Sequence, residues 1–120
     1  MTSSPSPRLR KVNSMLLHEV AEVVRSLKDP RLGFVTITGV DTTPDLRTAR
    51  AYYSVLGSAE ESEACAEALE AAAGHVRGEI GHRVRMRYTP AIIFAPDHSI
   101  EEGAKISNLL REIARKDKES

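Results

Sequence analysis

Asp97-His98-Ser99 contains the three residue types of a hydrolytic triad. A triad requires acid, base and nucleophile to converge from separate segments, and adjacent side chains diverge instead. No Gly-x-Ser-x-Gly elbow surrounds Ser99. Ser99 reads as a helix N-cap, with Glu102 in capping-box position. His75 and His82 are two helical turns apart, but no cysteine or carboxylate pair completes a ligand set. Cys65, the single cysteine, has no His or Lys beside it and lies in an Ala-rich run. A thiol there packs as a small apolar group. Neither a catalytic residue, nor a metal, nor a cofactor is expected.

Gly78-Glu79-Ile80-Gly81 matches the Gly-x-x-Gly loop with which KH domains clamp a nucleic-acid backbone. Ile80, however, continues an apolar stripe with Val76 and Val84, which predicts a helix rather than a loop there. A more informative feature precedes it. Ala72-Ala73-Gly74 places small residues where a helix breaks, so that a phosphate backbone can approach the start of the next helix. His75, Arg77, Arg83, Arg85 and Arg87 follow. Alternation of Arg83, Arg85 and Arg87 with Val84, Met86 and Tyr88 predicts one basic edge entering a strand and one buried edge. Such an edge suits phosphate contacts.

These residues need elements to position them. Ser6-Pro7 reads as an N-cap and first helical residue, opening a helix with Leu9, Val12, Leu16, Val20, Val23/Val24 and Leu27 on one face. It ends near Lys28-Asp29, before Pro30. Phe34–Val40 is a β-branched strand, Asp41–Asp45 a turn, and Ala49, Ala51, Tyr53 and Val55 share one face of a second strand. The two strands pair as a hairpin. Ser58 and Glu61 open a helix with a thin stripe of Ala64, Cys65, Ala68, Leu69 and Ala72. Gly74 breaks it, and a second helix runs on to Thr89-Pro90. Ala91–Ala95 is a short covered strand. A last amphipathic helix carries Ile100, Ile106, Leu109/Leu110 and Ile113. The order predicts an α+β fold, with helices packed on one three-stranded mixed sheet.

The chain has 120 residues, enough for one core. Residues 1–7 read as a disordered tail, 8–114 as the domain and 115–120 as a charged tail. No run could span a bilayer and no signal peptide opens the chain, so a cytoplasmic protein is expected. The formal net charge is zero, but it is segregated. Residues 8–57 carry eight Lys/Arg against five Asp/Glu, and residues 58–74 five Glu with no base. Residues 75–95 then carry four Arg against one Glu. A neutral chain can therefore hold a basic face for an anionic partner.

Taken together, several segments resemble the ribosome-binding factor A family of small-subunit assembly factors. They are Asp29-Pro30-Arg31-Leu32-Gly33, the strand from Thr36 to Val40, Asp45-Leu46, and Leu69 to Arg77. The run Arg83 to Arg87, Pro90, Asp97 to Ile100 and Ile106 to Leu110 complete the match, which extends from about Arg8 to Ile113. The resemblance implies a type II KH-like fold in which an Ala-x-Gly helix kink, here Ala72-Ala73-Gly74, replaces the Gly-x-x-Gly loop. It further implies binding of immature 30S subunits and 16S ribosomal RNA, support of 16S maturation, and a link to cold adaptation. The RNA-binding residues are expected to be Ala72, Ala73, Gly74, His75, Arg77, Arg83, Arg85 and Arg87, assisted by Arg8, Arg10 and Lys11. The expected partner is the small ribosomal subunit, met by a monomer, with no membrane and no small-molecule substrate expected. The alternative is an adaptor that offers the acidic helix at 58–73 to a basic ribosomal protein.

Overall fold

The computed structural model describes residues 6–99. The expected helix over Ile100 to Ile113 and both terminal tails lie outside them, apart from Ser6 and Pro7. The first helix, α1 (Pro7–Ser26), starts where Ser6 Oγ accepts the Leu9 N–H at 3.2 Å. Its face of Leu16, Val20, Val23 and Val24 is buried. Leu27 leaves helical dihedrals, and Asp29 then caps a short 3-10 turn, Pro30–Leu32, by accepting the Arg31 N–H at 3.0 Å. Gly33 turns the chain into the sheet with φ of +52°, a conformation that disfavours a side chain.

Strand β1 (Phe34–Thr42) pairs antiparallel with β2 (Thr48–Leu56), and β2 pairs parallel with β3 (Ala91–Pro96), giving the order β1-β2-β3. This is the mixed three-stranded sheet that the element order predicts. A bulge at Thr38 shifts the register, so that Ile37 faces Tyr53 while Gly39 faces Tyr52. Ala49, Ala51 and Tyr53 of β2 and Ile92 of β3 turn toward the helices and join one core with α1. On the opposite face Phe34 and Leu56 stand across from each other and are exposed. Asn13 ties α1 to the end of β1, its Oδ1 accepting the Thr42 N–H at 2.9 Å.

The crossover from β2 to β3 is a single helix, α2 (Ala59–Arg83), opened by the Ser58/Glu61 capping box. Here the structure corrects the sequence reading. No pair of helix ends exists at Gly74, because α2 passes through it. The reason lies in the phase of the apolar stripe. Cys65, Ala68/Leu69, Val76 and Ile80 are buried and Ala72 is half-buried between them, so a three- and four-residue spacing holds across Gly74. Burial on both sides outweighs the roughly 1 kcal/mol penalty of an interior glycine. Gly78 and Gly81 are helical too, so no Gly-x-x-Gly loop is present.

Candidate nucleic-acid interface

Helix α2 ends at Arg83, and Val84–Pro90 is a loop rather than the start of a strand. Sheet pairing begins only at Ala91, whose N–H donates to the Arg47 carbonyl at 2.8 Å, beside the Thr48–Ala91 pair. The expected alternation survives in burial. Arg83, Arg85 and Arg87 are exposed, while Val84 and Met86 are half-buried. Tyr88 departs from it: expected on the buried edge, it is 52% exposed. The Arg47 guanidinium lies 4.9 Å from its ring centroid and that of Arg87 5.5 Å.

The arginines are not equivalent. Arg77 donates from Nε and Nη2 to the Thr89 carbonyl, at 3.2 and 3.0 Å, and so fixes the loop to α2. Arg83 pairs with Glu19 of α1 at 3.6 Å and with Glu79 at 4.0 Å, at the helix end where positive charge is favoured. Among the described residues, no carboxylate is in salt-bridge contact with Arg85 or Arg87.

The other expected contact residues stand apart. Ala72 lines a groove of about 240 Å³ with Leu27, Lys28, Asp29 and Leu32. Gly74 and His75 are exposed, and Ala73 is half-buried. Nine residues of helix separate Gly74 from Arg83, about 13 Å at 1.5 Å per residue. Because α2 is continuous at Gly74, the N–H groups there are committed to the helix and the expected anion-binding helix start is absent. Arg8, Arg10 and Lys11 are exposed on the first turns of α1. Arg8 borders an open cleft of about 830 Å³ with Thr42, Asp45 and Arg50, on the β1–β2 turn that also carries Arg47. Sequence reading did not single out Arg47, and it set Tyr88 on the buried edge. The adjacency of Arg87 and Tyr88 was the available signal for the last, since aromatics interleaved with arginine serve nucleic-acid surfaces.

Two candidate chemistries dissolve into structure. Asp97 accepts the Thr38 hydroxyl at 2.6 Å and the Ser99 N–H at 2.9 Å, which ties the end of β3 to the bulge in β1. The Thr38 hydroxyl, followed by Ser99, holds the Asp97 carboxyl down to about 2. Cys65 is fully buried, and desolvation raises its thiol above the ordinary range, which disfavours the thiolate a nucleophile needs.

The order α1-β1-β2-α2-β3, with a parallel β2–β3 pair closed by the α2 crossover, defines the class of type II KH-like α+β domains. A family model described as ribosome-binding factor A matches residues 8–110, and the chain belongs to that family. It is 46% identical over 112 residues to ribosome-binding factor A of Caldanaerobacter subterraneus subsp. tengcongensis, covering 92% of each chain. The crystal structure of ribosome-binding factor A from Thermus thermophilus superposes with a TM-score of 0.67 at 27% identity, covering 73% of this chain and 94% of that one. A homology model of the Thermus thermophilus factor, fitted into a cryo-EM map of a 30S complex, gives 0.61 at 28% identity, covering 72% and 91%.

Proposed function

We propose that this protein binds the small ribosomal subunit through 16S ribosomal RNA and supports 16S maturation and subunit assembly, in the cytoplasm and without catalysis. The observation that carries this reading is the pair Arg85 and Arg87, which project from a loop that Arg77 anchors and meet no carboxylate among the described residues. Arg47 reaches the same loop and meets Arg87 at the Tyr88 ring, so positive charge gathers there although the chain is neutral. Phosphate contacts of this kind position a protein on RNA and steer its approach. The complex of the Thermus thermophilus relative with the 30S subunit supports the same partner here. Action is conformational: the protein favours the RNA arrangement it binds better, and growth in the cold, where wrong arrangements persist longer, is where its loss should be felt.

The geometry also selects the variant that tests it. Arg77→Glu would release the Thr89 carbonyl and disturb the loop, so reversal belongs at Arg85 and Arg87. The double variant Arg85→Glu/Arg87→Glu should keep its thermal midpoint and lose about 100-fold in affinity for 30S subunits by co-sedimentation, less steeply at high salt. Unchanged binding would remove this end of the molecule from the interface. Unchanged and salt-insensitive binding would move docking to the exposed glutamates of the first half of α2.

A further inference from the structure

We infer that Tyr88 is a stacking platform for an unpaired RNA base, with Arg47 and Arg87 placed to take the flanking phosphates. The inference rests on the RNA-binding reading above and adds to it the class of RNA segment recognised. Three observations converge on the ring. It is 52% exposed, although Val84 in the same loop is half-buried and Met86 packs against the core. Its backbone neighbourhood is fixed: Arg77 holds the Thr89 carbonyl, Pro90 is fully buried, and the Arg47 carbonyl accepts the Ala91 N–H. The guanidinium groups lie 4.9 Å (Arg47) and 5.5 Å (Arg87) from its centroid, brought there from two different elements.

An aromatic ring left in water beside two cations gains little by itself, since exposed cation–π contacts are weak. A nucleobase stacked on the ring gains more than the contact it displaces. The displaced guanidinium is then free for a phosphate, and guanidinium planes also stack on bases. Arg47 is held in place at its own backbone, its N–H donating to Asp45 Oδ1 at 3.1 Å. That carboxylate is already occupied by the Thr43 hydroxyl at 2.6 Å. Bases inside a duplex are stacked on one another and offer no free face, so the platform selects single-stranded or looped-out segments.

The test uses the full chain, a fluorescein-labelled adenine-rich RNA of about ten nucleotides, and the same strand annealed to its complement. Tyr88→Ala should weaken single-strand binding about tenfold at an unchanged salt slope, while Tyr88→Phe stays near wild type. Arg47→Ala should instead lower the salt slope by about one. Neither Tyr88 variant should alter duplex binding. Equal affinity of Tyr88→Ala and wild type, an equal loss on duplex, or no wild-type binding to the single strand overturns the platform. Co-sedimentation of wild type with 30S subunits separates the two levels. If it persists, the platform alone falls; if it is absent, the RNA-binding reading falls as well.

Discussion

From Ala59 to Ala73, α2 presents Glu60, Glu61, Glu63, Glu67 and Glu70 to solvent and no basic residue. From Gly74 to Arg83 the exposed side chains are His75, Arg77, His82 and Arg83, with Glu79 half-buried among them. The apolar sides of the two halves do not differ in this way: Cys65, Ala68 and Leu69 are buried in one, and Val76 and Ile80 in the other. Part of the contrast needs no partner. Carboxylates in the first turn and cations in the last complement the helix dipole, at about 0.3–1 kcal/mol each, which accounts for Glu60, Glu61 and Arg83. It does not account for Arg85, Arg87 and Arg47, which lie off the helix. Charge that helix stability leaves unexplained is the better guide to a binding surface.

The comparison breaks first if the halves differ in packing. Leu69 and Ile80 are both fully buried, so Leu69→Ala and Ile80→Ala should each cost about 2–5 kcal/mol in chemical denaturation. A cost near zero at Ile80 alone would mean that the basic half is held by something other than the core. At the acidic end the expected loss is smaller. Ser58→Ala should cost about 1 kcal/mol through the lost cap. The Ser58 backbone N–H and hydroxyl lower the Glu61 carboxyl below its ordinary value of 4.5. A carboxyl lowered by folding stabilises the fold above its unfolded value and loses that contribution as pH falls through the folded one. Amide exchange in the first turn of α2 should therefore quicken as pH drops below about 4.5 once the intrinsic pH trend is subtracted, while exchange at the Arg83 end, where Glu19 and Glu79 approach only to 3.6 and 4.0 Å, should quicken less. Parallel quickening at both ends would remove the asymmetry.

The sheet was legible in the sequence because its signals are local and redundant. The alternation of Ala49, Ala51 and Tyr53, the Thr43-Pro44-Asp45 turn and the Ser58/Glu61 box each point the same way. The helix break was misread because glycine propensity was weighed above the phase of the stripe from Cys65 to Ile80. Tyr88 was misread because no partner strand enforces a two-residue period on Arg83–Pro90, and the alternation that runs from Arg83 to Arg87 lapses at the next residue. Arg47 was invisible for another reason: only the parallel pairing of β2 with β3 brings residue 47 to residue 88.

Gly74 divides the two halves of α2, and nothing among the described residues explains it. It is helical, its φ is not positive, and an added Cβ would meet no atom within 4 Å. On helix physics alone Gly74→Ala should stabilise the fold by about 0.5–1 kcal/mol, a rise in thermal midpoint of about 2–8 °C for a domain of this size. A glycine that costs helix stability and would meet no described neighbour if given a Cβ makes the small Ala72-Ala73-Gly74 stretch of α2 a surface to test for close approach of a backbone. If the midpoint rises and 30S co-sedimentation weakens, that stretch belongs to the interface together with the Arg83–Arg87 end. If the midpoint rises and binding is unchanged, the interface lies wholly beyond the last turn of α2, and the acidic and basic halves differ in helix electrostatics alone.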